Sequence, residues 1–194
     1  MKKKVKFAID EIVVIVKDSL YSVRYQSYNI DEYTTAFENW TDIEFLENFF
    51  EQNKDDLNFF GNISVEEAVM YTINEAEKFD DYLRRKAIKG KDSLSEALQT
   101  IFKPLYKREA ELFPPPQLQK SKAYAQRRPS WLRLYAIRIE PNVFVVTGSA
   151  IKLVAEMHQR DYLKLELEKL EAVRQYLIDE QVIDNNSLTG ILNI

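Results

Sequence analysis

Cysteine is absent from the 194 residues, and histidine occurs once, at His158. The first absence removes disulfides, thiol catalysis and cysteine-bound zinc together. The second leaves no histidine cluster to hold a metal. Glycine is scarce, at four, and neither a P-loop nor a dinucleotide-binding fingerprint is present. No apolar run reaches the roughly 18 residues that a membrane span requires. The opening MKKKVKFAIDEIVVIV sets lysines ahead of apolar residues, as a secretory signal does, but Asp10 and Glu11 interrupt the apolar core and no small-residue cleavage site follows. The expectation is a cytoplasmic protein with no membrane contact, no cofactor and no bound metal.

What is present is charge, unevenly spread. Residues 101–152 carry ten Lys/Arg against three Asp/Glu, whereas residues 1–100 carry thirteen against twenty. A basic segment inside an acidic chain marks where a polyanion would be met. Its centre is WLRLYAIRIEPNVFVVTGSAIK, residues 131–152, which reads as two strands joined at Glu140-Pro141-Asn142. Arginines within a β-branched and aromatic strand imply that one face meets water or an anion.

The length suits one domain, 1–194, and is short for two. Residues 3–8, 11–17 and 20–28 read as early strands. Capping-box spacings at Asn29/Glu32, Thr41/Glu44, Ser64/Glu67 and Ser93/Glu96 predict helices through about 29–100. Within them Val65, Val69, Ile73, Ala76 and Leu83 recur at helical spacing, while Ala68, Tyr71, Glu75 and Phe79 do not form a stripe. Pro114, Pro115 and Pro116 make 113–130 an extended connector, and its polar stretch from Gln117 to Arg128 reads as a loop. A terminal helix is expected over 161–182. The fold class is α+β, a small antiparallel sheet packed on helices.

This order of elements resembles the RelE/HigB-like toxin superfamily, including its phage-derived host-killing branch. The resemblance rests on Phe102-Lys103-Pro104-Leu105 ahead of the sheet, on Leu132-Arg133-Leu134-Tyr135, and on Val145-Val146-Thr147-Gly148 followed by Lys152. It covers the last third of the chain well and the first strand and helix weakly. Thr147 stands where that branch often has histidine, and Ile151-Lys152 replaces a lysine pair. The acidic helices of 29–100 are an insertion relative to a minimal member. The resemblance implies a ribosome-dependent mRNA endonuclease, the toxin of a type II pair, with mRNA on the ribosome as substrate. Its protein partner would be a cognate antitoxin, which in such pairs can be a helix-turn-helix protein.

Cleavage of RNA in this manner needs a base for the 2′-hydroxyl, cations for the phosphorane and an acid for the leaving oxygen. Arg133 and Lys152 fit the cationic role, because a guanidinium pairs with phosphate through two parallel hydrogen bonds. His158 is the candidate for proton transfer. Lys120, Lys122, Arg127 and Arg128 suit phosphate steering, with Tyr135 and Arg138 as further contacts. Adjacent apolar Ala136 and Ile137 break the alternation, so Arg138 can fall on the opposite face from Arg133. A second reading stays open: a non-catalytic interaction module that keeps the fold, suggested by seven Lys/Arg against seventeen Asp/Glu over 29–100.

Overall fold

The computed structural model describes residues 6–126 and 130–192. Six strands form one sheet: β1 (Ile9–Val16), β2 (Leu20–Tyr25), β3 (Lys103–Pro104), β4 (Gln119–Tyr124), β5 (Leu132–Glu140) and β6 (Val143–Ile151). Their order is β1-β2-β6-β5-β4-β3. The sheet is mixed rather than antiparallel, because β2 runs parallel to β6 through Leu20–Phe144, Tyr21–Val145 and Ser22–Val146. A purely antiparallel sheet was the expectation. It fails because β2 and β6 are not linked by a hairpin: the chain passes through the helical layer and β3–β5 before β6 arrives beside β2 in the same direction.

Both faces of the sheet are covered. On one side lie α1 (Glu32–Thr41), α2 (Ile43–Gln52), α3 (Lys54–Phe59) and α4 (Val65–Lys89). They pack Trp40, Phe50, Leu57 and Phe79 against Leu132, Leu134, Phe144 and Val146. On the other side α5 (Asp161–Asp179) and α6 (Asn185–Gly190) pack Leu163, Leu170, Val173 and Leu188 against Tyr135, Ile137, Val143 and Val145. The two faces of β5 and β6 alternate between these layers, as a pleated strand requires.

Several sequence expectations change in detail. One strand, β1, replaces the two read over 3–8 and 11–17. Asp10 sits at a register shift between Ile9 and Glu11 and does not end pairing; residues 3–5 lie outside the described residues. Ser64 and Glu67 do form a reciprocal capping box for α4. Asp31 and Asp42 cap α1 and α2 instead of Asn29 and Thr41, a carboxylate being an excellent acceptor for the first amides of a helix. Ser93/Glu96 opens only a short 3₁₀ turn, Leu94–Glu96. In α4 the buried residues include Ala68, Glu75 and Phe79, three of the four positions that the sequence stripe left out, while the fourth, Tyr71, is half-buried. The helix buries a wider face than one stripe, because α1 and α2 pack along it while its Thr72 and Ala87 also bond to Trp131 and Asn142. The expected connector 113–130 holds β4, which pairs with β5 from Gln119–Arg138 to Tyr124–Arg133.

The β5–β6 turn is pinned by one side chain. Asn142 Nδ2 donates to Ser19 Oγ at 3.1 Å and to the Ala87 carbonyl at 2.8 Å. Its Oδ1 accepts from the Leu98 amide at 2.9 Å. Gly90 packs so closely that a Cβ there would fall 2.1 Å from Asn142 Oδ1.

Candidate functional site

Strand β4 alternates buried Gln119, Ser121 and Ala123 with half-exposed Lys120, Lys122 and Tyr124. The second set faces the α5 side, and register places Lys122 opposite Tyr135 and Tyr124 opposite Arg133. Arg133 in turn lies opposite Ala150 of β6, two residues before Lys152. Three cations from three neighbouring segments therefore share one sheet face. Past the end of β6, residues 152–160 fold over that face and make a 3₁₀ turn at Met157–Gln159 before α5 starts.

The result is a cavity of about 310 Å³ with Lys122, Arg133, Tyr135, Lys152 and His158 in its walls. Its remaining wall comes chiefly from Tyr106, Tyr124, Glu156 and Met157. The volume is at the small end of the roughly 300–1,000 Å³ typical of ligand pockets.

Each cation is held. Arg133 Nη1 donates to the carbonyls of Ser130 at 2.7 Å and Leu132 at 2.8 Å. Its guanidinium carbon stands 4.1 Å from the Tyr124 ring centroid, a favourable cation–π contact. Lys122 approaches the same ring at 5.9 Å. Lys152 Nζ donates to the Ala155 carbonyl. Burial lowers the Lys152 ammonium below its ordinary range, and Arg133 and Lys122 push it further down. Concentrated like charge of this kind is relieved by an anion, so the pocket is electrostatically ready for one. Tyr135 donates to Met157 Sδ at 3.1 Å, and burial raises its phenol, which stays protonated. His158 is exposed on the rim.

Five of the nine residues singled out in the sequence thus meet in one place. Lys120 does not join them: it projects from the same strand face but pairs with Glu171 of α5. Arg138 lies on the other face of β5, with Nη2 3.4 Å from Gln99 Oε1. Arg127 and Arg128 lie outside the described residues. Tyr124, Tyr106 and Met157 were missed, although the two-residue alternation of Lys120, Lys122 and Tyr124 was a signal for the first.

A second polar cluster lies deeper, where β2 and β6 part beyond Val146. Lys169 Nζ is 3.0 Å from both Glu32 Oε2 and Glu166 Oε1. Glu166 Oε2 is buried without a hydrogen-bond partner. Burial lifts the Glu166 carboxyl to about 7 against the pull of Lys169, with Glu32 adding to the rise.

Comparison of the chain with protein-family models, with curated proteins and with solved structures finds no match. Among the described residues no group of three or more His, Asp or Glu is arranged to hold a metal ion. No described helix is long and apolar enough to cross a membrane.

Proposed function

We propose that the chain binds RNA through this cavity and cleaves it as a toxin-type endoribonuclease acting on mRNA at the ribosome. The observation that supports this reading is the convergence of Lys122, Arg133 and Lys152 on one ligand-sized, tyrosine-lined cavity. A phosphodiester placed there meets fixed positive charge beside aromatic surface, the combination that single-stranded nucleic acid uses. In the reaction the 2′-hydroxyl oxygen attacks the neighbouring phosphorus and gives up its proton. The bond from phosphorus to the 5′-oxygen breaks, and that oxygen takes a proton. The products are a 2′,3′-cyclic phosphate and a 5′-hydroxyl. Arg133 and Lys152 stabilise the extra charge of the phosphorane, and His158 on the rim is assigned to proton transfer. The sequence resemblance extends the proposal to a cytoplasmic setting and to a cognate antitoxin as partner.

One observation favours the alternative of a non-catalytic interaction module. Arg133 Nη1 is committed to two backbone carbonyls, which is structural work. Overexpression separates the two readings. Growth arrest with mRNA cut on translating ribosomes, relieved by Arg133→Met, supports the nuclease. A harmless wild-type protein that leaves mRNA intact removes it in favour of the module.

A further inference from the structure

The segment from Lys152 to Arg160 supplies Lys152, Met157 and His158 to the cavity, yet it contains only one short 3₁₀ turn. Its two ends rest on the helical layer of the opposite face. At the start, the Lys152 amide donates to the Trp131 carbonyl at 2.7 Å. Trp131 is buried among Phe50, Phe60 and Tyr71, with Nε1 donating to Thr72 Oγ1 at 2.9 Å. At the finish, Arg160 grips Asp56 of α3 in a two-pronged pair, Nε to Oδ2 at 2.8 Å and Nη2 to Oδ1 at 2.5 Å. The Asp56 side chain is only 14% exposed. Beside this pair, Phe49 of α2 meets the Tyr162 ring edge-on at 5.7 Å, and the Tyr162 hydroxyl donates to the Ile151 carbonyl at 3.0 Å.

We infer that Asp56 is a positioning residue for the cavity: through Arg160 it fixes the segment that carries Lys152, Met157 and His158 over the sheet. The inference rests on the reading of the cavity as a phosphate site and gives the acidic helical layer a task there. A planar guanidinium held at two nitrogens by one carboxylate sets orientation as well as distance. A single-point contact in the same place leaves the segment able to rotate. Among the acidic residues of α3, Asp55 is exposed whereas Asp56 reaches the pair, so the effect belongs to one carboxylate and not to the layer's net charge.

The test uses the full chain with Asp56→Asn, Arg160→Lys, and the exchanged pair Asp56→Arg with Arg160→Asp. Three quantities are read: amide exchange over residues 153–159, affinity for a short fluorescein-labelled RNA, and the titration of the Lys152 amine followed by isotope-labelled methylation. Asp56→Asn and Arg160→Lys should each speed exchange in the segment and weaken RNA binding about tenfold. Lys152 should titrate closer to an ordinary lysine, and the exchanged pair should restore all three. Faster exchange with wild-type affinity and an unmoved Lys152 overturns the inference. So does a loss that merely follows the thermal midpoint and is not restored by the exchange. If the wild-type protein binds no RNA, the functional reading fails. The inference then stands or falls on Lys152: a shifted titration in Asp56→Asn upholds it, and an unchanged one ends it.

Discussion

The Glu166 carboxylate fills the space that a side chain at Gly148 would need: a Cβ built on Gly148 falls 1.8 Å from Glu166 Oε2 and 2.9 Å from its Cδ. The glycine is there for close approach. Gly148→Ala should therefore destabilise the fold by on the order of 2–3 kcal/mol through forced repacking. Urea denaturation measures the loss, and adding Glu166→Ala to Gly148→Ala should recover part of it, the signature of two residues in contact. Additive effects would show that the contact is not the cause.

The same cluster makes stability depend on pH. Burial raises the Glu166 carboxyl from 4.5 to about 7, and burial also raises Glu32 despite the nearby Lys169. Burial works against the Lys169 charge, but Glu166 and Glu32 outweigh it, so the ammonium keeps its proton through this range. The groups around them include Asp31 beside Glu32, the Ser149 backbone beside Glu166, and the rings of Tyr25 and Tyr28, 5.8 and 5.9 Å from Lys169 Nζ. For a carboxyl with a raised folded-state value, the stabilisation is complete below about pH 4.5 and is lost as pH rises through about 7. The expected fall is on the order of 3 kcal/mol over that window. Denaturation profiles of wild type and Glu166→Gln check it: the variant should flatten the slope, and equal slopes would clear Glu166 of responsibility.

Lys122→Ala and Lys152→Ala should each weaken binding of single-stranded RNA and lower the slope of log affinity against log salt by about 0.7. Lys120→Ala and Arg138→Ala should leave the slope unchanged, one side chain being paired with Glu171 and the other lying on the far face. Slopes that respond equally to all four would mean diffuse attraction without a defined site.

Arg133 differs from those lysines because it also supports the fold. On the nuclease reading, Arg133→Met should reduce cleavage about 10²–10³-fold, the usual cost of one preorganised donor to a developing anion. It should also cost about 1–2 kcal/mol of stability, through lost bonds to Ser130 and Leu132 and the lost contact with Tyr124. Activity assays beside thermal melts separate the two effects.

Asn142→Ala removes three hydrogen bonds that join the β5–β6 turn to Ser19, Ala87 and Leu98. The expected loss is on the order of 2–4 kcal/mol, since buried partners are left unpaired. A drop below about 1 kcal/mol by urea titration would show that water replaces the side chain there.

The β5–β6 hairpin and the helical middle were legible because their signals are local. Alternating β-branched residues end at Pro141-Asn142, and Ser64 with Glu67 closes its own capping box within one turn. Strand β4 was hidden by its polarity. Lysine stems can cover a sheet while their ammonium groups stay wet, so QKSKAY reads as loop and pairs as strand. The grouping of Lys122 with Arg133 and Lys152 depends on that strand, and so was only half visible. Glu166 and Lys169 have the spacing of a solvated helical pair; only packing against Gly148 and Glu32 removes them from water. Asp56 looked like one acid among many until Arg160, 104 residues later in the chain, met it.

The parallel join between β2 and β6 has a bearing on biosynthesis. Strand β2 is complete at residue 25, but the neighbour that seals its inner edge begins at residue 143. Contacts this distant in sequence form late and slowly. The cavity's walls, from Leu105 to Leu167, emerge later still than the helices that buttress them. A polypeptide released early from translation therefore lacks both a closed sheet and a complete cavity.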